Sequence, residues 1–208
     1  GSGGESPGAG GIALSDRAEV VATGLGAVTP LGVGVRAFTA GLRAGRSGVR
    51  ELPDELRSER IRTWCAAMCA EFEPSGVMSA ADLARVPRLV PMALQACREA
   101  LERAGWPIAA DADERAIERG RRIGLVLGTG GGGIDFTLDQ FHIAHEGRKP
   151  SLWTITNATH GNLAGELSIR LGLRGPSLCM STGCASSSDA IGLAMTMLRA
   201  NAADAMVV

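Results

Sequence analysis

Three short apolar runs constrain the fold of this 208-residue chain more than any other feature: "RIGLVLG" (122–128), "SLCM" (177–180) and "DAMVV" (204–208). Each reads as a strand, the first of them buried and running into a glycine loop. Helical spacing fills the intervals. "GNLAGELSIRLG" (161–172) predicts a helix stopped by Gly172, and "SSSDAIGLAMTMLRAN" (186–201) predicts another. Upstream, "EVVATGLGAVTPLG" (19–32) reads as a further short buried strand ending in a Gly-rich, Pro-containing loop, and "VRAFTAGLRAG" (35–45) as a helix with Gly45 at its C′ position. Residues 46–78 read as irregular, and "SAAD" (79–82) as an N-terminal capping pattern. "PMALQACREALERAG" (91–105) is the clearest amphipathic helix. Its apolar side carries Met92, Leu94, Cys97 and Leu101; Gln95, Arg98, Glu99, Glu102 and Arg103 mark a wet face, and Gly105 and Pro107 stop it. Strands alternating with helices imply an α/β fold with a mostly parallel sheet.

The balance of charge, 21 basic against 22 acidic residues, offers no global attraction to nucleic acid or to an anionic membrane. No apolar run reaches the roughly 18 residues that span a bilayer. The opening "GSGGESPGAGG" lacks the basic and apolar parts of a signal sequence, so residues 1–18 read as an expression scar and flexible tail, with the domain expected over 19–208. Five cysteines, an odd number, favour reduced thiols in a cytoplasm over a disulfide framework.

One of those cysteines occupies a special place. Cys184 lies between Gly183 and Ala185, where strand chemistry gives way to helix chemistry. The helix beyond is apolar nearly all round, at Ala190, Ile191, Leu193, Ala194, Met195, Met197 and Leu198, which predicts burial on most sides and a cysteine at the inner end of a cavity. The N-terminal field of a helix favours thiolate, the nucleophilic form, and the small neighbours allow a sharp turn and close approach of a carbonyl to backbone N–H groups. The alternative is a small buried hydrophobe. Cys65, Cys69, Cys97 and Cys179 read as structural, because Cys65 and Cys69 have no second pair to complete a zinc site. "GTGGGG" (128–133) lacks the Lys-Ser/Thr of a P-loop, which argues against a phosphate cradle.

"STGCASSSDAIG" (181–192), with "GLRGPS" (172–177), "VVATGLGAVTPLG" (20–32) and "GTGGGG", resembles the N-terminal half of a β-ketoacyl synthase from Glu19 to Val208. The form of the cysteine motif is most similar to the ketosynthase subunits of type II polyketide systems, with bacterial fatty-acid synthases a step behind. The resemblance implies a thiolase-like fold of two similar halves, dimerised through strands near the cysteine, either as a homodimer or with a chain-length-factor-like subunit. It implies a decarboxylative Claisen condensation in which Cys184 takes an acyl chain from the phosphopantetheine of an acyl carrier protein, without a cofactor of the synthase's own. Two histidines assist in that family, in His-Gly-Thr and Asn-His motifs of the C-terminal half. This chain stops at "DAMVV", so the missing half is itself an expected partner. His142, His145 and His160 do not match those positions, and the first two read as a wet helix face. His160 falls where relatives usually carry an apolar residue near the subunit interface.

The resemblance also marks two positions of the acyl pocket. Gly131 matches a branched aliphatic that gates the tunnel in fatty-acid relatives, and Thr154 matches a position, often aromatic, contributed across the dimer. Small groups at both predict long, unsaturated or oxygenated acyl chains. Two alternatives compete. A non-catalytic chain-length-factor-like subunit is disfavoured by Cys184, and a thiolase-like acyltransferase would work on coenzyme A esters.

Overall fold

The computed structural model describes residues 19–106 and 114–208; the tail expected over 1–18 and the helix stop at Pro107 lie outside them. The first apolar segment departs from expectation. Only Val28–Thr29 (β1) forms a strand, in a two-residue hairpin with Gly32–Val33 (β2), and residues 19–27 join no ladder. Their neighbour is a helix. This segment runs along the helix Leu89–Arg103, where a Cβ on Gly24 would collide with the Ala100 carbonyl and one on Gly26 with that of Ala96. The glycines let this backbone pack closely on α3, and no described strand lies along its edges.

Helix α1 (Val35–Arg43) ends as its sequence predicts. Gly45, at φ +64°, lets its own N–H reach the Leu42 carbonyl and the Arg46 N–H reach that of Gly41. This is the Schellman closure. The stretch expected to be irregular contains one short hairpin, β3 (Arg50–Glu51) with β4 (Cys65–Ala66). Helix α2 (Ala80–Leu83) is capped by Ser79, whose Oγ accepts from the Asp82 N–H at 3.2 Å. Helix α3 (Leu89–Arg103) closes at Gly105 with the same pair of bonds as α1.

After α4 (Glu114–Gly120), the chain enters β5 (Ile123–Gly128), then α5 (Ile134–His145), α6 (Thr154–Ala158) and α7 (His160–Leu171). It continues through β6 (Ser177–Met180), α8 (Ser186–Arg199) and β7 (Ala205–Val207). The three apolar runs thus form one parallel sheet in the order β6-β5-β7, with Leu125 opposite both Ser177 and Val207. On one face Ile123 and Leu125 pack with Val90, Leu94, Leu163 and Leu167 of α3 and α7. On the other, Val126 meets Ala190 and Ala194 of α8.

Two expectations about helix faces are corrected. Helix α8 is buried along a single stripe, Ser186, Ala190 and Ala194, while Ile191 is 52% exposed. Within this chain the sheet covers one side of the helix, and the partner surface rather than apolar content decides burial. Glu99 does not belong to a wet face. Its carboxylate accepts the Ala27 N–H at 3.0 Å and the Val35 N–H at 2.9 Å, tying the hairpin and the first N–H of α1 to α3. Val35 would otherwise present an unpaired donor at the positive end of its helix.

Glu99 therefore makes a specific prediction. Glu99→Ala leaves two backbone donors without their charged acceptor and is expected to destabilise the fold by about 1.5–3 kcal/mol. Glu102→Ala, exposed on the same helix, is expected to stay within about 0.5 kcal/mol. Urea unfolding midpoints of the two variants check the difference.

Candidate active site around Cys184

The site forms where β5 and β6 end side by side. The Thr129 N–H donates to the Met180 carbonyl at 3.0 Å, carrying the ladder one step past β5. The glycine loop then turns, its Gly132 N–H donating to Thr129 Oγ1 at 2.9 Å. Beyond β6, Ser181 and Thr182 lead into a single 3₁₀ turn, Gly183–Ala185, which holds Cys184 directly before α8. Gly183 has φ +66°, a conformation that a side chain resists. The glycine of the motif is thus a backbone requirement of the turn.

Side chains of the first turn of α8 lock this arrangement. Ser186 is 2% exposed, and its Oγ accepts the Thr182 N–H at 3.0 Å. Its hydroxyl proton faces the carbonyls of Gly183 at 2.6 Å and Thr129 at 3.1 Å. One buried oxygen thereby joins the cysteine turn to the end of β5. Thr182 Oγ1 donates to Asp189 Oδ2 at 2.5 Å, pinning the turn from its outer side. A Cβ on Gly128 would stand 2.7 Å from the Ser186 carbonyl oxygen, so glycine is also what lets the strand end meet the helix start.

Cys184 itself is exposed. The expectation of a thiol at the inner end of a cavity is not met within this chain, because α8 is covered by the sheet alone and the turn protrudes beyond it. A cavity of about 570 Å³ does exist, between Pro87, Arg88, Phe136, Gln140 and Ile143, and none of the three expected site residues lines it. Gly131 belongs to the glycine loop, which touches the cysteine turn where Gly130 faces the Gly183 carbonyl. A Cβ on Gly131 would meet only Ile134 Cγ2, at 3.6 Å, so the position accepts a side chain. Thr154 starts α6, and its hydroxyl donates to the Ser151 carbonyl at 2.6 Å within its own turn.

The remaining thiols differ from Cys184 in burial. Burial pushes the Cys97 thiol up to about 11, and it raises Cys179 as well. Cys69 is also raised by burial, against the opposing pull of the Arg88 guanidinium. His142 and His145 are exposed on α5, as their spacing predicts. His160 is different: its Nδ1 lies 3.1 Å from Ser181 Oγ, and its ring occupies the space that a side chain on Gly132 would need. Ser186, Asp189 and His160 were not legible as site residues. The run of small hydroxyl residues after Cys184 could have pointed to Ser186, whose Oγ turns back to the Thr182 N–H; nothing local marks His160.

With this geometry in view, comparison with known proteins decides the family. Residues 17–208 match the family model of the β-ketoacyl synthase N-terminal domain. The chain belongs to the β-ketoacyl synthase family. Over 190 residues it is 32% identical to 3-oxoacyl-[acyl-carrier-protein] synthase 2 of Vibrio cholerae, covering 90% of this chain and 44% of that protein. It is 31% identical over 196 residues to a putative polyketide β-ketoacyl synthase 1 of Streptomyces halstedii, covering 89% and 44%. Among solved structures, the ishigamide ketosynthase/chain length factor superposes with a TM-score of 0.73 at 26% identity, covering 90% of this chain and 45% of that one. The chain spans about half the length of the curated relatives it matches. The fold is that of the thiolase-like ketosynthases, in its N-terminal portion.

Thiol chemistry gives a direct check on the special standing of Cys184. With iodoacetamide at pH 8, Cys184 is expected to be alkylated first and Cys97 last, since about one Cys97 thiol in a thousand is then ionised. Raising the pH to 10 should speed Cys97 about a hundredfold, because thiolate grows tenfold per pH unit below the pKa. Time-resolved peptide mapping measures both, and equal modification of all five thiols in the folded protein would refute the assignment.

Proposed function

We propose that this chain carries the nucleophile of a β-ketoacyl synthase that extends acyl chains in polyketide or fatty-acid assembly, with Cys184 as the acyl acceptor. The observation that carries the reading is the placement of an exposed thiol on a positive-φ turn between a parallel strand and a helix, in a chain of this family. The Cys184 sulfur attacks the carbonyl of an acyl thioester borne by the phosphopantetheine of an acyl carrier protein. The carrier's C–S bond breaks, its thiol departs with a proton, and the acyl group remains on Cys184. A malonyl thioester then loses carbon dioxide, and its carbanion attacks the acyl-cysteine carbonyl, releasing the Cys184 thiolate. Backbone N–H groups at the turn are suited to steady the tetrahedral oxyanion. No cofactor enters this reading.

Decarboxylation calls for donors to hold the developing enolate, and removal of such donors typically costs orders of magnitude in rate. In this reading they come from the part of the synthase that corresponds to the other half of its relatives. The same complement covers Cys184 and the outer faces of α8, converting an exposed turn into a pocket. It also supplies a neighbour for β7, whose ladder here is with β5 alone. The partners are thus an acyl carrier protein, that complement, and a second ketosynthase-like subunit, identical or of the chain-length-factor kind. Gly131 and Thr154 leave the acyl channel wide, which suits long or oxygenated chains.

The test is covalent loading followed by condensation. Incubation with an acyl carrier-protein thioester is expected to add one acyl mass at Cys184, and Cys184→Ala to abolish it. Addition of malonyl carrier protein should yield a β-ketoacyl product only when the complement is present. Gly131→Ile is expected to shorten the longest chain loaded. Failure of the wild-type protein to load would overturn the enzyme reading in favour of a structural subunit.

A further inference from the structure

The glycine loop and the cysteine turn follow two different strands, β5 and β6, at the same end of the sheet, and a side chain from a third element touches both. His160 is the first residue of α7, and helical side chains there point back toward the N-terminus. Its ring lies against the Gly132 backbone so closely that a Cβ on Gly132 would collide with it, while Nδ1 sits 3.1 Å from Ser181 Oγ. Ser181 is the first residue after β6 and lies three positions before Cys184. The next loop residue, Gly133, is likewise pressed against the Asn157 carbonyl of α6. Asn157 is 4% exposed, and its Nδ2 donates to the carbonyls of Arg85 and Trp153 at 2.6 and 3.0 Å. The loop therefore rests on a fixed wall, and His160 is the part of that wall that also reaches the cysteine turn.

We propose that His160 is a positioning residue for Cys184: bridging Gly132 and Ser181, it holds the glycine loop and the cysteine turn at the spacing that acyl transfer needs. This rests on the acyl-transfer reading above. Attack on a thioester requires sulfur, substrate carbonyl and oxyanion-binding amides to be placed together, and small misplacements are costly. Alkylation by a small, flexible electrophile needs only an accessible thiolate. His160 should consequently matter for the first reaction and not for the second.

The experiment measures both reactions on the same variants of the full chain. His160→Ala is expected to lower the maximal rate of acyl loading from a medium-chain carrier-protein thioester at least tenfold, with KM changed less than twofold. Iodoacetamide alkylation of Cys184 should stay within twofold. His160→Asn, whose side-chain amide can stand near the place of Nδ1, should recover most of the loss. Ser181→Ala should reproduce it, and the double variant should be no slower than the slower single one. If His160→Ala unfolds the protein, Cys97 becomes alkylated as fast as Cys184, and Ser181→Ala then carries the test. Loading by the wild type and equally by both single variants overturns the role of His160 alone, as does a double variant whose losses multiply. Absence of loading in the wild type overturns the acyl-transfer reading and this inference with it.

Discussion

Successive side chains of β5 leave the sheet in opposite directions, Ile123 and Leu125 toward α3 and α7, Val126 toward α8. One six-residue strand thereby anchors both apolar clusters, and Leu125 and Val126 are almost wholly removed from water. Burial of that kind contributes roughly 1.5–3 kcal/mol for each large side chain. It also dictates where the strand must stop. Past Gly128 the apolar side chains end, and after the buried Thr129 the chain turns over the end of β6 as a loop of glycines. The site is consequently placed by the core: its two loops start where doubly covered β5 and its neighbour β6 run out side by side.

What happens at that edge is governed by hydrogen bonding more than by apolar contact. Ser186 is buried; its Oγ accepts the Thr182 N–H while its hydroxyl proton faces the Gly183 and Thr129 carbonyls, so one side chain ties the cysteine turn to the end of β5. Leaving a buried polar group such as the Ser186 hydroxyl unpaired costs about 1–3 kcal/mol, which favours keeping this junction intact. Thr182 and Asp189 brace the turn from solvent, and His160 reaches it from α7. Cys184 remains the exposed thiol beside this network, while burial pushes the Cys69, Cys97 and Cys179 thiols up. The contrast between one accessible thiol and three suppressed ones is a selectivity built from packing.

Much of the local structure was legible in the chain. Short apolar runs at 122–128, 177–180 and 204–208 became the three sheet strands, and Gly45, Gly105 and Gly172 ended their helices with left-handed backbone. Ser79 capped α2 as its spacing to Asp82 predicts. These features depend on residues within a few positions of one another, which is why sequence reveals them. The motif around Cys184 was equally plain, since a glycine at φ +66° is a local demand of the turn.

The remainder depended on which surfaces meet. The stretch 19–27 has the composition of a strand, but it packs its glycine backbone against α3 and joins no ladder among the described residues. Glu99 has the spacing of a solvent-facing charge, yet two backbone donors more than sixty residues away in sequence claim its carboxylate. Helix α8 is apolar all round and is covered along one stripe, since burial is a property of the facing surface. His160 belongs to the same class. Sequence determined the turn, the thiol and the strands that lead to it, through short-range backbone demands; only tertiary structure decided which distant side chains hold that turn in place, because contacts between remote segments follow from packing and leave no local periodic trace.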